Sequence, residues 1–379
     1  MERKFIMEIL LPDYDNCTVN LACSILQEFG AKCPEHGTLA AADRLLQKKT
    51  YKNIVVFLLD AMGQCVLDRN LDADGFFNRH HIVTYSAVFP STTAAATTSI
   101  DSALCPSEHG WLGWDCYFSE PDRMVTVLLN RDSTTGELIS GCHIGHTYCP
   151  YQSVHERILE TGTQAYVAMP YADPYPKTFD LVCDRVQQLC ALPERKYIYA
   201  YWDEPDSTMH RTGCYSAASK TVVRELEQKM ESMCGKLAGT DTLLFITADH
   251  GHTDSHNIAL SDYPDLMECL LRPSFIEARA VGFFVKPDRM AQFAAAFYSH
   301  FSGSFRLMTK AEAIASGLFG PANEGSRLNE MLGDYLAVAT DKFSLYPNPE
   351  KARRHIGTHA GLTAEEMRIP LIGVEMPAG

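Results

Sequence analysis

Three apolar runs in this chain stop on acids and histidines. "NIVVFLLD" ends on Asp60, "TLLFITADHGHTD" runs into Asp249 and His250, and "KYIYAYW" is followed by "DEPDSTMH", where Asp206 and His210 stand at i and i+4. Carboxylates together with imidazoles are a donor set for zinc, with manganese a weaker candidate. One Asp at a strand end is often the cap of the next helix, and one Asp-His pair is often a surface loop. Three such sites, each closing a strand, are not explained by capping. His359, in "GTHAGLT", would alone read as a loop histidine, but its glycine neighbours permit close backbone approach and two acid/histidine groups need partners.

A different kind of signal lies at 89–111, "FPSTTAAATTSIDSALCPSEHGW". Residues this small fill little core, so the run implies either close backbone packing or a reactive hydroxyl, and by itself does not choose between them.

The elements that must position these residues follow from periodicity. The runs 53–60, 165–169, 196–202, 242–249, 280–286 and 369–376 are apolar on both alternate faces, as in parallel strands covered on each side. Helical patterns at 178–192 and 216–239 lie between them. Alternation of this kind predicts an α/β fold: a doubly wound, mainly parallel sheet with helices on both faces. Ligands of such sheets sit at the carboxyl ends of the strands, which is where the acids fall. Two regions interrupt the alternation. Residues 111–150 read as a hairpin or long loop and 287–350 as a small inserted subdomain, both within a single catalytic domain spanning 1–379.

Composition narrows the function. The 379 residues carry a net charge of −14, which excludes a general surface for nucleic-acid polymers or anionic membranes. An anionic substrate would need the local field reversed, and bound metal ions do that. The amino-terminal "MERKFIMEILLPDYDN" is too short in apolar residues for a signal segment or a span. Thirteen scattered cysteines without C-x-x-C spacing point to reduced thiols and a cytoplasmic setting.

In order along the chain, "LLDAMG", "FPSTT…CPSEHGW", "DEPDSTMH", "TADHG" and "GTHAGLT" resemble the alkaline phosphatase superfamily, and most of all its type I phosphodiesterase/nucleotide pyrophosphatase branch. The resemblance implies that Thr93 is a nucleophile, that Asp60, Thr93, Asp249 and His250 hold one zinc ion, and that Asp206, His210 and His359 hold a second. It leaves Ser91 and Thr92 as turn residues and His109 as structural. It implies hydrolysis of a small phosphodiester or pyrophosphate through a phospho-threonine. On that reading an asparagine is expected three residues beyond the nucleophile, where this chain has Ala96, and Arg279, Lys286, the 111–150 loop or backbone N–H groups of the helix after Thr93 would replace it. Two alternatives stay open: a phosphomonoesterase, phosphomutase or phosphonate hydrolase of the same superfamily, and a non-catalytic metal-stabilised binding protein.

Overall fold

A computed structural model describes residues 8–171, 176–321 and 326–379. The first seven residues of the amino-terminal run and positions 322–325 of the second interruption lie outside the described residues.

Six strands form the central sheet: β1 (Asn53–Leu59), β2 (His81–Ser86), β3 (Gln164–Ala168), β4 (Lys196–Trp202), β5 (Thr240–Thr247) and β6 (Arg368–Ala378), in the spatial order β2-β6-β5-β1-β4-β3. β3, β4, β1 and β5 run parallel. Every residue of β1 is buried, because both faces of a central parallel strand are covered. Helix α1 (Thr93–Ser102) follows β2, and α2 (Phe179–Ala191), α3 (Asp206–Thr212) and α4 (Ala217–Lys236) flank β4. In α2, Phe179, Val182, Cys183, Val186, Leu189 and Cys190 form one buried stripe at helical spacing, and the Thr178 hydroxyl caps its start by accepting from the Leu181 N–H. Phe179 then meets Phe57 of β1 edge to face, with ring centroids 5.7 Å apart. α4 buries Val223, Leu226, Met230 and Met233 in the same way behind a Ser216 cap.

Two strand expectations need correction. β6 is antiparallel to both its neighbours, and "AVGFFVK" is not in this sheet at all. Ala280–Phe283 belongs to a second, seven-stranded antiparallel sheet, in the order 305–309, 335–339, 280–283, 275–276, 115–118, 123–126, 131–132. It is apolar on both faces because Ala280 joins the main core, whereas Val281 and Phe283 pack into a phenylalanine-rich core with Phe293, Phe297 and Phe301. Burial on both sides was legible; strand direction was not. The 111–150 and 287–350 segments meet in this one sheet. β2, an edge strand with mostly half-buried residues, carries too little apolar alternation to be recognised.

The small residues after Thr93 turn out to do the packing half of their two options. Ala94, Ala95 and Ala96 are fully buried in the main core.

Candidate active site

The parallel register builds the site. Leu58 pairs with Thr247, so two residues further on Asp60 and Asp249 leave the sheet side by side. Leu59 pairs with Trp202, and the chain then turns through the backbone bond from Asp206 N–H to the Asp60 carbonyl, 3.3 Å. The two turns that carry Asp60 and His250 touch through their glycines. A Cβ on Gly63 would lie 2.4 Å from the Gly251 Cα, and one on Gly251 would lie 2.0 Å from the Glu365 carbonyl oxygen. Only glycine permits that approach. Ala61 and Ala360, the residues after Asp60 and His359, adopt φ of 59° and 90°, a backbone region uncommon for alanine and frequent beside functional groups.

All seven residues singled out in the sequence converge here. Asp60, Asp249 and His250 offer ligand atoms within 4.8 Å of one another, as do Asp206, His210, His359 and His252. The His250 and His359 rings stack at 3.9 Å and bring the two groups together. Thr93, the first residue of α1, places Oγ1 3.4 Å from Asp60 Oδ2 and 3.3 Å from His250 Nε2.

The tautomers follow from the outer hydrogen bonds. Nδ1 of His210 donates to the Gly357 carbonyl, that of His250 to the Gly251 carbonyl, and that of His359 to the Ser91 carbonyl, at 2.9, 2.8 and 3.1 Å. Carbonyl oxygens only accept, so each neutral ring turns an Nε2 lone pair inward. Those lone pairs face carboxylates: His250 Nε2 lies 3.4 Å from Asp60 Oδ1 and 3.4 Å from Asp249 Oδ2, and His210 Nε2 lies 3.3 Å from Asp206 Oδ2. Asp60 Oδ1, Asp206 Oδ1 and Asp249 Oδ2 are buried with no hydrogen-bond partner among the described residues. Two acceptors do not bond each other. Their spacing instead matches the edge of a tetrahedron of ligands around a zinc-sized ion, about 3.3 Å for bonds near 2.0 Å. The donor set therefore fits a pair of divalent cations.

The electrostatics agree. Burial, then Asp249 and Asp206, push the Asp60 carboxyl well above its usual range, although Tyr201 donates to it. Burial also raises Asp249. Burial, and then His250, keep His359 neutral far below the ordinary histidine value.

Four further expectations are settled by contacts. Arg279 gives its guanidinium to Glu366, at 2.7 and 2.8 Å, and to the carbonyls of Asp341 and Phe343, so it is not a phosphate donor. Lys286 bonds the Glu268 carbonyl. Ala96, fully buried, is a core position and not one that faces a substrate. His109 bonds Ser99 and the Trp111 N–H within the core, a structural role.

Sequence reasoning missed three residues beside the site. Tyr201 donates to Asp60 from the end of β4. Glu277 accepts from the Thr92 hydroxyl and the Trp114 N–H, at 2.6 and 2.8 Å, and so ties the turn before Thr93 to the 111–150 segment. Burial raises it to about 7. His252 stands two residues after His250. That spacing of two histidines was the available signal.

A family profile described as Type I phosphodiesterase / nucleotide pyrophosphatase matches residues 54–361. The chain belongs to that family. It is a hydrolase of the phosphodiester/pyrophosphate class, in a metal-dependent family, and it carries candidate metal-binding groups. A search of curated proteins gives no match. Solved structures similar to it include murine ectonucleotide pyrophosphatase/phosphodiesterase 5 (18% identity, TM-score 0.67), its inactive threonine-to-alanine form in complex with AMP (17%, 0.66) and the human protein (16%, 0.67). Each covers 84% of this chain, matched over 87% of its own length. They share the alkaline phosphatase-like fold, α/β with a central, mainly parallel sheet. No helix among the described residues is long and apolar enough to cross a membrane.

Proposed function

We propose that this chain is a two-zinc hydrolase of small phosphodiesters or nucleotide pyrophosphates, acting through a phospho-threonine on Thr93. The observation that carries the reading is the pair of buried carboxylate/imidazole groups, with the Thr93 hydroxyl 3.4 Å from Asp60 Oδ2 and 3.3 Å from His250 Nε2. Asp60, Thr93, Asp249 and His250 would hold one ion, and Asp206, His210 and His359 the other. Two divalent ions bound there would supply Lewis-acid activation of the hydroxyl and offset the charge of a phosphate, zinc being the better match to the donors and manganese the weaker.

The chain's own residues then do the following. Thr93 Oγ1, exposed to the site at the first position of α1, attacks phosphorus. The bond to the leaving oxygen breaks, and water later cleaves the phospho-threonine. Backbone N–H groups at the start of α1 face the incoming anion. A diester is preferred over a monoester dianion because no arginine stands beside Thr93 in the small-residue run that follows it, and Arg279 is committed to Glu366. A relative of the same fold is inactive in a threonine-to-alanine form that is in complex with AMP, which supports both the nucleophile and a nucleotide-like substrate. Residues 1–379 act as one catalytic unit whose 111–150 and 287–350 segments shape the pocket. All thirteen cysteines are unpaired, which supports a reducing, cytoplasmic setting.

The test is turnover of a chromogenic phosphodiester by zinc-loaded protein, compared with a monoester and a phosphonate. Diester turnover that stops on chelation and returns with zinc is expected. Preference for the monoester would move the chain to the phosphatase alternative, and no turnover of any of the three would favour the binding-protein alternative.

A further inference from the structure

His252 is fully buried beside the Asp206/His210/His359 group, and it belongs to none of the roles assigned above. Its position is fixed by backbone pairing. Thr253 pairs with Thr358 in a short antiparallel ladder, so residue 252 is set beside residue 359. The ring is seated by glycine: a Cβ on Gly357 would lie 2.7 Å from His252 Cε1 and 2.8 Å from Nδ1. The same Gly357 supplies the carbonyl that orients His210.

Nε2 of His252 lies 3.4 Å from Asp206 Oδ1. Both atoms are buried and neither has a hydrogen-bond partner among the described residues. Nδ1 lies 3.2 Å from Cys214 Sγ. If the thiol donated to Nδ1, Nε2 would carry the proton and still make no aligned bond to Asp206, leaving two buried polar atoms unsatisfied at a cost of roughly 1–3 kcal/mol each. If Nδ1–H donates to sulfur, Nε2 turns a lone pair inward as the other three rings do.

We infer that His252 is a fourth protein ligand of the second metal ion, so that Asp206, His210, His252 and His359 hold it together, with Cys214 setting the His252 tautomer. The inference rests on the two-metal reading above. Its geometric support is that the four residues offer ligand atoms within 4.8 Å of one another, with Asp206 Oδ1 3.4 Å from His252 Nε2 and 3.7 Å from His359 Nε2, and Asp206 Oδ2 3.3 Å from His210 Nε2.

The experiment is a competition titration of Zn²⁺ alone into the metal-free full chain, read by a chromophoric chelator, for wild type, His252→Ala and His252→Gln. Both variants are expected to bind one ion as wild type does and the second at least about 100-fold more weakly, since each lacks the imidazole lone pair. Glutamine keeps an N–H donor, so unchanged second-site affinity in His252→Gln would show a hydrogen-bonding residue and overturn the inference. So would affinity within about threefold in both variants. Wild type that binds no zinc would overturn the two-metal reading as well, and is thereby distinguished from failure of His252 alone. Should the variants not fold, imidazole ¹⁵N shifts of zinc-loaded wild type decide the matter: a protonated His252 Nε2 overturns the inference and a metal-bound one upholds it.

Discussion

Two sets of buried carboxylates, on loops joined by the Gly251 N–H to Glu366 carbonyl bond, 2.7 Å, are treated in opposite ways. Glu366 is fully buried, yet both its oxygens are occupied: Arg279 bonds it twice, and the Gly361 N–H, Thr363 N–H and Thr363 hydroxyl donate to it as well. Burial alone would raise its pKa, but Arg279 first and then these donors bring it below the ordinary value. Asp60 and Asp249 are as deeply buried, face each other's charge, and leave an oxygen each without a partner. A buried charge held only for structure is satisfied within the fold. One kept unsatisfied marks a place that a cation completes. The first set also serves the second, because Glu366 braces the 359–363 loop that presents His359.

The largest expected effect breaks the functional side of this contrast. Thr93→Ala should lower diester turnover by about 10⁴-fold, or roughly 5.5 kcal/mol of barrier, with the circular dichroism spectrum and zinc stoichiometry retained. Activity within tenfold of wild type would mean that water attacks directly. Next, Arg279→Met should cost about 3–5 kcal/mol of stability in urea unfolding, because it strands Glu366 as an uncompensated buried charge. A loss under 1 kcal/mol would show that the pair is dispensable and would remove one half of the comparison.

In chelator, Asp60→Asn should stabilise the metal-free protein by about 1–2 kcal/mol at pH 8, since it removes a like charge from an unsatisfied cluster. It should also abolish tight zinc binding. A lower urea midpoint for this variant would mean that the Asp60 carboxylate contributes to the fold in its own right.

The smallest effect concerns Glu277, raised by burial to about 7 from a model-peptide value of 4.5. The folded protein holds this proton at pH values where the unfolded chain has released it. The stabilisation is complete below about pH 4.5 and is lost as pH rises through 7. Glu277→Gln should therefore match wild type near pH 4 and exceed it by at least about 1 kcal/mol near pH 8. Parallel pH profiles would show that Glu277 ionises without cost to the fold.

The acids were legible in the sequence because strand and site share one cause. A parallel strand must be apolar along its length and must end where its ligands begin, so Asp60 and Asp249 announce themselves. Thr93 was legible only through resemblance, since the run that contains it looks the same whether it packs or reacts. The second sheet was not legible: its strands join 115–126 to 275–283 and 305–339 by pairings that leave no local period. Arg279 looked available for a phosphate because its partner, Glu366, lies 87 residues away. Ala96 stands where the resemblance expects a substrate-facing asparagine, but its helix turns it into the core. His252 is hidden by its own motif, in which the resemblance asks for a single histidine.

The contact between Gly63 and Gly251 has a consequence for how quickly the centre can be filled. Repelling carboxylates would ordinarily drift apart when no cation is bound, and the protein would have to close again around each arriving ion. Here the two turns meet backbone to backbone, with Gly251 also seated against Glu365, so the gap between Asp60 and Asp249 is set by main-chain contact and not by the charges themselves. A cage held in this way would keep its dimensions whether or not an ion fills it. Uptake of a metal ion would then be paced by how fast the ion sheds its water, and little by rearrangement of the chain.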